Sequence, residues 1–423
     1  MAPRRPVPPS PADPAAAASP APATRRASTA GKARPLHASP AGPPPGSARV
    51  DFFRHSLGPD EWRAVRRVMG GLFLTTGPET AALEKEMAAF LGVAETVGVS
   101  SCTEAMFLSL VALHLGPGDE VITTPTSFVS TANVIVRTGA TCVFADVEPD
   151  TGNLDVAAVE AAITPRTKAV LPVHLYGHMA DMRALRALAD RRGLRLVEDA
   201  AHCFEGMRDG ARPGNLSDTA CFSFYATKNL TCGEGGLIAC NSPDLAAHLR
   251  RLRLHGIDRD AATRHGLSYR HWDMLELGYK ANLNDLQAAI LRPQLPKVQA
   301  KLARRERLAR RYDRSFADLP GVRVPGVRPG VVHARHLYTI QVAPARRDEV
   351  LAGLQARGIG VAVNFRPIHL MTWWHERFEY REGAFPNAER LGASTITLPL
   401  YPGLRREEQD RVIHAVREVV LGG

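Results

Sequence analysis

The sequence has no run approaching the ~18 uncharged apolar residues that a membrane-spanning helix needs. The stretch 169–180 is free of formal charge, but it is short and holds Pro172, His174, Gly177 and His178. An integral membrane protein with a helical span is therefore not expected. Paired cysteines are missing too. Cys102, Cys142, Cys203, Cys221, Cys232 and Cys240 form no CxxC pair and no metal-type spacing. Several lie in apolar, strand-like runs, where a free thiol behaves as a small hydrophobe. That pattern points to a reducing compartment, the cytoplasm, and to no metal site. No internal repeat is found.

Acids are nearly absent from the first fifty residues. Arg4, Arg5, Arg25, Arg26, Lys32, Arg34 and Arg49 stand there against Asp13 alone, so six of the ten net positive charges sit in that segment. The remainder carries no basic stripe, and nucleic acid is not expected as a partner. The same segment holds 13 of the 32 prolines. It lacks an apolar core of the kind a secretory signal has. Its Arg- and Ser-containing composition resembles a transit peptide, but its prolines oppose an amphipathic helix. Residues 1–50 therefore read as a disordered tail, unable to bury enough apolar surface to offset its ordering entropy.

What remains is ordinary globular material. The chain has 423 residues, 45% hydrophobic and 23% charged, enough for two or three domains. Helical spacing runs over 79–91 and 103–115. Strand patterns occupy 120–123, 141–146, 169–173, 195–198, 219–224 and 236–240, with a helix at 182–191. This alternation predicts an α/β domain on a mostly parallel sheet over 51–296. A long basic helix, 297–319, leads out of it. A strand at 336–342 and helices at 347–357 and 407–420 predict a smaller α+β domain over 297–423.

Three features carry chemistry. The strand ending at Glu198 runs into Asp199, an acid where open α/β sheets bind ligands; a helix N-cap is the plainer alternative. Lys228 follows a buried strand and precedes Gly233, Gly235 and Gly236. A lysine desolvated there has a lowered pKa and forms a Schiff base; a solvated surface lysine is the alternative. Residues 100–105 lead into a helix whose first N–H groups can hold an anion, or which are merely capped. Together an amine, an acid and an anion cradle are the parts of a pyridoxal phosphate site.

Gly77-Pro78, SSCTEAM, TPTSFVSTAN, EDAAH, FSFYATKNLTCGEGG, GYKANLNDLQAA and LPLYPG occur in that order. From about residue 52 to 420 the sequence resembles the DegT/DnrJ/StrS sugar-nucleotide aminotransferases. Within them it looks most like the UDP-4-amino-4-deoxy-L-arabinose–oxoglutarate branch. The resemblance implies a fold-type-I, pyridoxal 5'-phosphate-dependent transferase with a seven-stranded, mostly parallel sheet. It implies a homodimer with shared active sites. It also implies transfer of an amino group from L-glutamate to a nucleotide-linked keto sugar, at carbon 4 in that branch.

The resemblance also assigns residues. Lys228 matches the lysine that binds the cofactor's aldehyde, and Asp199 the acid on its ring nitrogen. His202 stands near the phenolic oxygen, and Phe128 stacks on the ring. Cys102 and Thr103 form the phosphate turn, Ser223 assists, and Asn282 reaches the phosphate of the other subunit. Many members have Gly where this chain has Cys102. Thr76 and His369 fall in segments bordering the sugar; a helix-cap threonine and a surface histidine are the alternatives. Relatives that dehydrate sugars at carbon 3 carry histidine in place of the lysine, so Lys228 argues for transamination. Synthesis of an aromatic amino acid on the same scaffold is a further alternative. A non-catalytic, regulatory homologue is disfavoured by the intact Lys228 and Asp199.

Overall fold

Apolar residues that alternate between two faces of one sheet organise the larger core. A computed structural model describes residues 49–258, 271–378 and 380–422. The elements are α1 (Pro59–Met69), α2 (Pro78–Leu91), β1 (Glu95–Val99), α3 (Cys102–Ala112), β2 (Glu120–Thr123), α4 (Ser130–Arg137), β3 (Thr141–Phe144), α5 (Val156–Ala162), β4 (Thr167–Leu171), α6 (Met182–Arg192), β5 (Arg195–Asp199), β6 (Met207–Arg208), β7 (Thr219–Ser223), β8 (Gly236–Cys240) and α7 (Pro243–Leu252). Seven strands form one sheet in the order β1-β8-β7-β5-β4-β2-β3. Only β8 opposes its neighbours, β1 and β7; the other pairings are parallel.

Such a sheet is covered on both faces, and its strands read as apolar runs. In β7, Cys221 faces the core that contains α3 residues Met106 and Leu110. Its neighbours Ala220 and Phe222 face the opposite core, with Leu83, Met87 and Leu91 of α2. All six cysteines are free and buried. Ser101 caps α3 by accepting the Glu104 N–H at 3.1 Å.

A second core is built mostly from helices and strands after residue 307. Helix Val298–Phe316 contributes Leu308, Tyr312 and Phe316, helix Arg347–Ala356 adds Val350 and Leu354, and helix Arg406–Leu421 adds Val412 and Val416. They pack on an antiparallel pair, β10 (Tyr338–Gln341) with β11 (Thr395–Leu398). The remaining strand, β9 (Val331–Val332), pairs with β6.

The sequence expects neither β11 nor the helix Pro386–Ser394 that feeds it. β11 is a four-residue strand entered straight from that helix and ended by Pro399, without a turn signal in front of it. The expected tail over 1–50 lies outside the described residues except for its end. There one correction is needed: Val50 is fully buried in the second core and pairs with Ile359, taking an N–H bond from Gly360 at 2.8 Å. Among the described residues no helix is long and apolar enough to cross a membrane.

Candidate active site

The carboxyl ends of β1, β2, β5 and β7 surround a cavity of about 550 Å³. Asp199 is the last residue of β5, beside Cys221 of β7 in register. Its backbone is fixed by bonds from Asp199 N to Pro172 O (2.9 Å) and from His174 N to Asp199 O (3.1 Å). Its carboxylate is just as constrained. Thr131 Oγ1 donates to Oδ2 at 2.7 Å, and the Ala201 N–H to Oδ1 at 3.1 Å. Because the Thr131 proton is committed to Asp199, Ser127 Oγ donates to Thr131 in their 2.8 Å contact. Asp199 is thus not a helix cap but a buried carboxylate held facing the cavity.

Lys228 enters the cavity from the loop between β7 and β8. Its N–H bonds to Tyr225 O at 2.9 Å, and the loop closes through Phe224 N to Gly235 O at 2.8 Å. Burial pushes the Lys228 amine down to about 8, against the opposing pull of Asp199. The depression is modest because the carboxylate partly compensates the lost solvation. Ser223, the last residue of β7, lines the same cavity.

At the far side stands the start of α3. The N–H groups of Cys102 and Thr103 have no intrahelical acceptor, as in every first helical turn. Gly236 keeps this cradle open: a Cβ there would lie 2.4 Å from the Ser101 carbonyl carbon and 2.7 Å from Cys102 N. The Cys102 side chain turns away from the cradle, its Sγ 3.4 Å from Cys221 O and 3.8 Å from Asp199 Oδ1. Burial, reinforced by Asp199, keeps that thiol protonated. The departure from glycine therefore leaves the backbone cradle unobstructed.

His202 and Phe128 also line the cavity. His202 Nδ1 accepts the Tyr176 N–H at 3.2 Å, so in the neutral ring the proton sits on Nε2. Burial, with a smaller push from Lys228, holds His202 neutral. Phe128 is 60% exposed at the mouth, its ring free to cover a planar ligand.

Three expected residues are not brought to this cavity by their own chain. Asn282 is held at the edge of β1, donating to Thr76 Oγ1 at 2.7 Å and accepting from Lys280 Nζ at 2.6 Å. Thr76 is not a helix cap, a position that Gly77 takes; its hydroxyl bonds to Leu283 O. His369 is not a surface residue. It is fully buried, 3.0 Å from Glu389 and packed on the Phe385 ring, which keeps it out of the cavity. The structure in turn adds Thr131, Asn229 and His336, which the sequence reading does not single out. Thr131 was visible as a hydroxyl three residues after Phe128; His336 had no local signal, because its partners are distant in the chain.

Residues 55–417 match the DegT/DnrJ/EryC1/StrS aminotransferase family. The chain belongs to this family. The spore coat polysaccharide biosynthesis protein SpsC of Bacillus subtilis (strain 168) is 43% identical over 383 residues, spanning 88% of this chain and 98% of SpsC. Among solved structures, DesV of S. venezuelae matches with a TM-score of 0.79 at 40% identity, over 85% of this chain and 94% of DesV. Spr1654 from Streptococcus pneumoniae, in its PMP form, matches with a TM-score of 0.84 at 29% identity, over 88% of this chain and 99% of its own.

The chain is a fold-type-I aminotransferase, and its cofactor is pyridoxal 5'-phosphate. The residues fit that cofactor. An amine with a lowered pKa, a buried carboxylate and a free N–H cradle share one cavity, each on a different strand end.

Proposed function

We propose that the protein transfers the amino group of L-glutamate to a nucleotide-linked keto sugar, at carbon 4, in amino-sugar biosynthesis. The observation that carries this reading is the pairing of Lys228 with Asp199 in one cavity of an aminotransferase of this family. The motifs shared with sugar-nucleotide aminotransferases support the nucleotide link. The name of SpsC, a spore coat polysaccharide biosynthesis protein, accords with a sugar acceptor.

In this reading Lys228 and Asp199 hold the two ends of the cofactor ring, and the N–H groups of Cys102 and Thr103 hold its phosphate. Phe128 covers its face, His202 Nε2–H serves its phenolic oxygen, and Ser223 supports Lys228. The bound cofactor supplies an aldehyde that accepts the amino group and a ring that withdraws electrons. Asp199, its carboxylate fixed by Thr131 and Ala201, would hold a proton on the ring nitrogen. Lys228 Nζ, partly neutral near pH 8, takes a proton from the donor carbon and returns one to the acceptor carbon. Glutamate leaves as 2-oxoglutarate and the keto sugar leaves as an amino sugar.

We further propose a cytoplasmic homodimer in which Asn282 of the partner subunit reaches the phosphate. The segments that meet at Asn282 leave Leu72 83% and Leu277 73% exposed, an apolar surface suited to a second copy. Residues 51–296 then carry the cofactor, and 297–423 form the smaller domain.

The function is tested with a panel of UDP-, dTDP- and GDP-linked keto sugars, each incubated with glutamate and read by mass spectrometry. One nucleotide amino sugar formed together with 2-oxoglutarate supports it. Dehydrated products, or no product from any acceptor, contradict it.

A further inference from the structure

His202 and His336 stand side by side in the cavity, ring centroids 4.5 Å apart and tilted by 35°. Their hydrogen-bonding characters are set oppositely by the surrounding protein. Tyr176 links them: its N–H donates to His202 Nδ1, and its carbonyl accepts the backbone N–H of His336 at 3.2 Å. To present both groups, Tyr176 adopts a left-handed backbone, φ 58°, unusual for a bulky residue. His202 is therefore a donor at Nε2.

His336 is fixed the other way. Asn229, next to Lys228, donates its amide to Glu205 Oε2 at 2.9 Å and to Ala334 O at 3.1 Å. Two acceptors on that nitrogen settle the amide orientation, so Asn229 Oδ1 faces His336 Nδ1, 3.4 Å away. Nδ1 must donate, and the lone pair lies on Nε2. Behind Asn229, Glu205 is locked by an ion pair with Arg305, both side chains almost fully buried. Burial and the nearby Lys228 charge keep His336 neutral. Nε2 of either histidine meets no protein partner among the described residues.

We propose that His336 determines acceptor specificity: its unprotonated Nε2, held by the positioning residue Asn229, accepts the hydroxyl on the carbon beside the substrate's keto group. This rests on the sugar-acceptor reading above. The reacting carbon must come within reach of Lys228, and His336, which lines the same cavity, would then meet the neighbouring carbon. A site built around a buried acceptor discriminates strongly against an analogue without the hydroxyl.

The test uses UDP-, dTDP- and GDP-linked 4-keto-6-deoxyhexoses, each as the 3-hydroxy compound and as its 3-deoxy analogue. Single turnovers by enzyme preloaded with amino groups from glutamate separate binding from rate. Wild type prefers the hydroxylated acceptor by about tenfold or more. In His336→Phe that preference collapses towards one, whatever general loss the variant suffers. In His336→Gln, whose amide oxygen reaches the place of Nε2, part of it returns.

Nitrogen-15 histidine shifts of the apo protein, assigned by comparison with His336→Phe, give a second readout. They show His336 protonated at Nδ1 and bare at Nε2, and in Asn229→Ala a mixture of tautomers. An equal preference in wild type and His336→Phe, or a protonated Nε2 in wild type, overturns the proposal. Failure of wild type with every acceptor overturns instead the reading on which it rests.

Discussion

The acid and the amine at the site both depend on surroundings that do no chemistry. Asp199 depends on Thr131, whose hydroxyl is the 2.7 Å donor to Oδ2. Thr131→Val leaves a buried carboxylate one bond short, which costs about 1–3 kcal/mol. Cofactor affinity or turnover is expected to fall about tenfold or more, with the fold retained by circular dichroism; unchanged values of both contradict the assignment. Lys228 depends on its burial. An amine attacks only when neutral, so lowering its pKa moves the reactive form to lower pH. With a pKa of about 8 rather than 10.5, about a tenth of the amine is neutral at pH 7, against roughly one in three thousand for a free lysine. Attachment of pyridoxal phosphate to the apo protein, timed by absorbance, is therefore expected to accelerate with pH up to about 8 and then level off. Acceleration continuing through pH 10 contradicts a desolvated lysine, and Lys228→Ala shows no attachment at all.

At the scale of elements, the approach of α3 to β8 makes the phosphate cradle. Gly236→Ala places a Cβ 2.4 Å from the backbone of Ser101, and backbone on both sides cannot yield as a side chain would. The helix start must move, so cofactor affinity is expected to drop at least tenfold in an equilibrium titration. Tight binding by this variant means that the phosphate sits elsewhere. Much of this level was legible beforehand. The runs at 120–123 and 236–240 are strands with those bounds, because strands buried on both faces of a sheet carry apolar runs that local pattern reveals. Lys228, Asp199, Ser223, Phe128 and His202 converge as read, because strand ends of one sheet must converge at its carboxyl edge. His369 is misplaced by the sequence and His336 is not singled out by it, for the converse reason. One is buried by Glu389 and Phe385 and the other aimed by Asn229 and Tyr176, and such tertiary partners leave no periodic trace in the chain.

For the whole molecule, the position of Asn282 outside its own cavity makes the subunit arrangement testable. Lys228→Ala and Asn282→Asp chains are each expected to be inactive, the second because a carboxylate repels the phosphate. After subunit exchange, the mixed dimer concentrates both lesions in one site and leaves the other intact, restoring up to half the activity per mixed dimer. No recovery, with exchange verified independently, assigns Asn282 to its own chain or to no site. The proposed reaction stands on the route of one nitrogen atom. The most direct measurement supplies L-glutamate labelled with nitrogen-15 and the nucleotide-linked keto sugar panel, and weighs the sugar products by mass spectrometry. The account predicts a nucleotide amino sugar one mass unit heavier than with unlabelled glutamate, formed by wild type and absent with Lys228→Ala. An unlabelled amino sugar, or label that never enters any sugar, contradicts it.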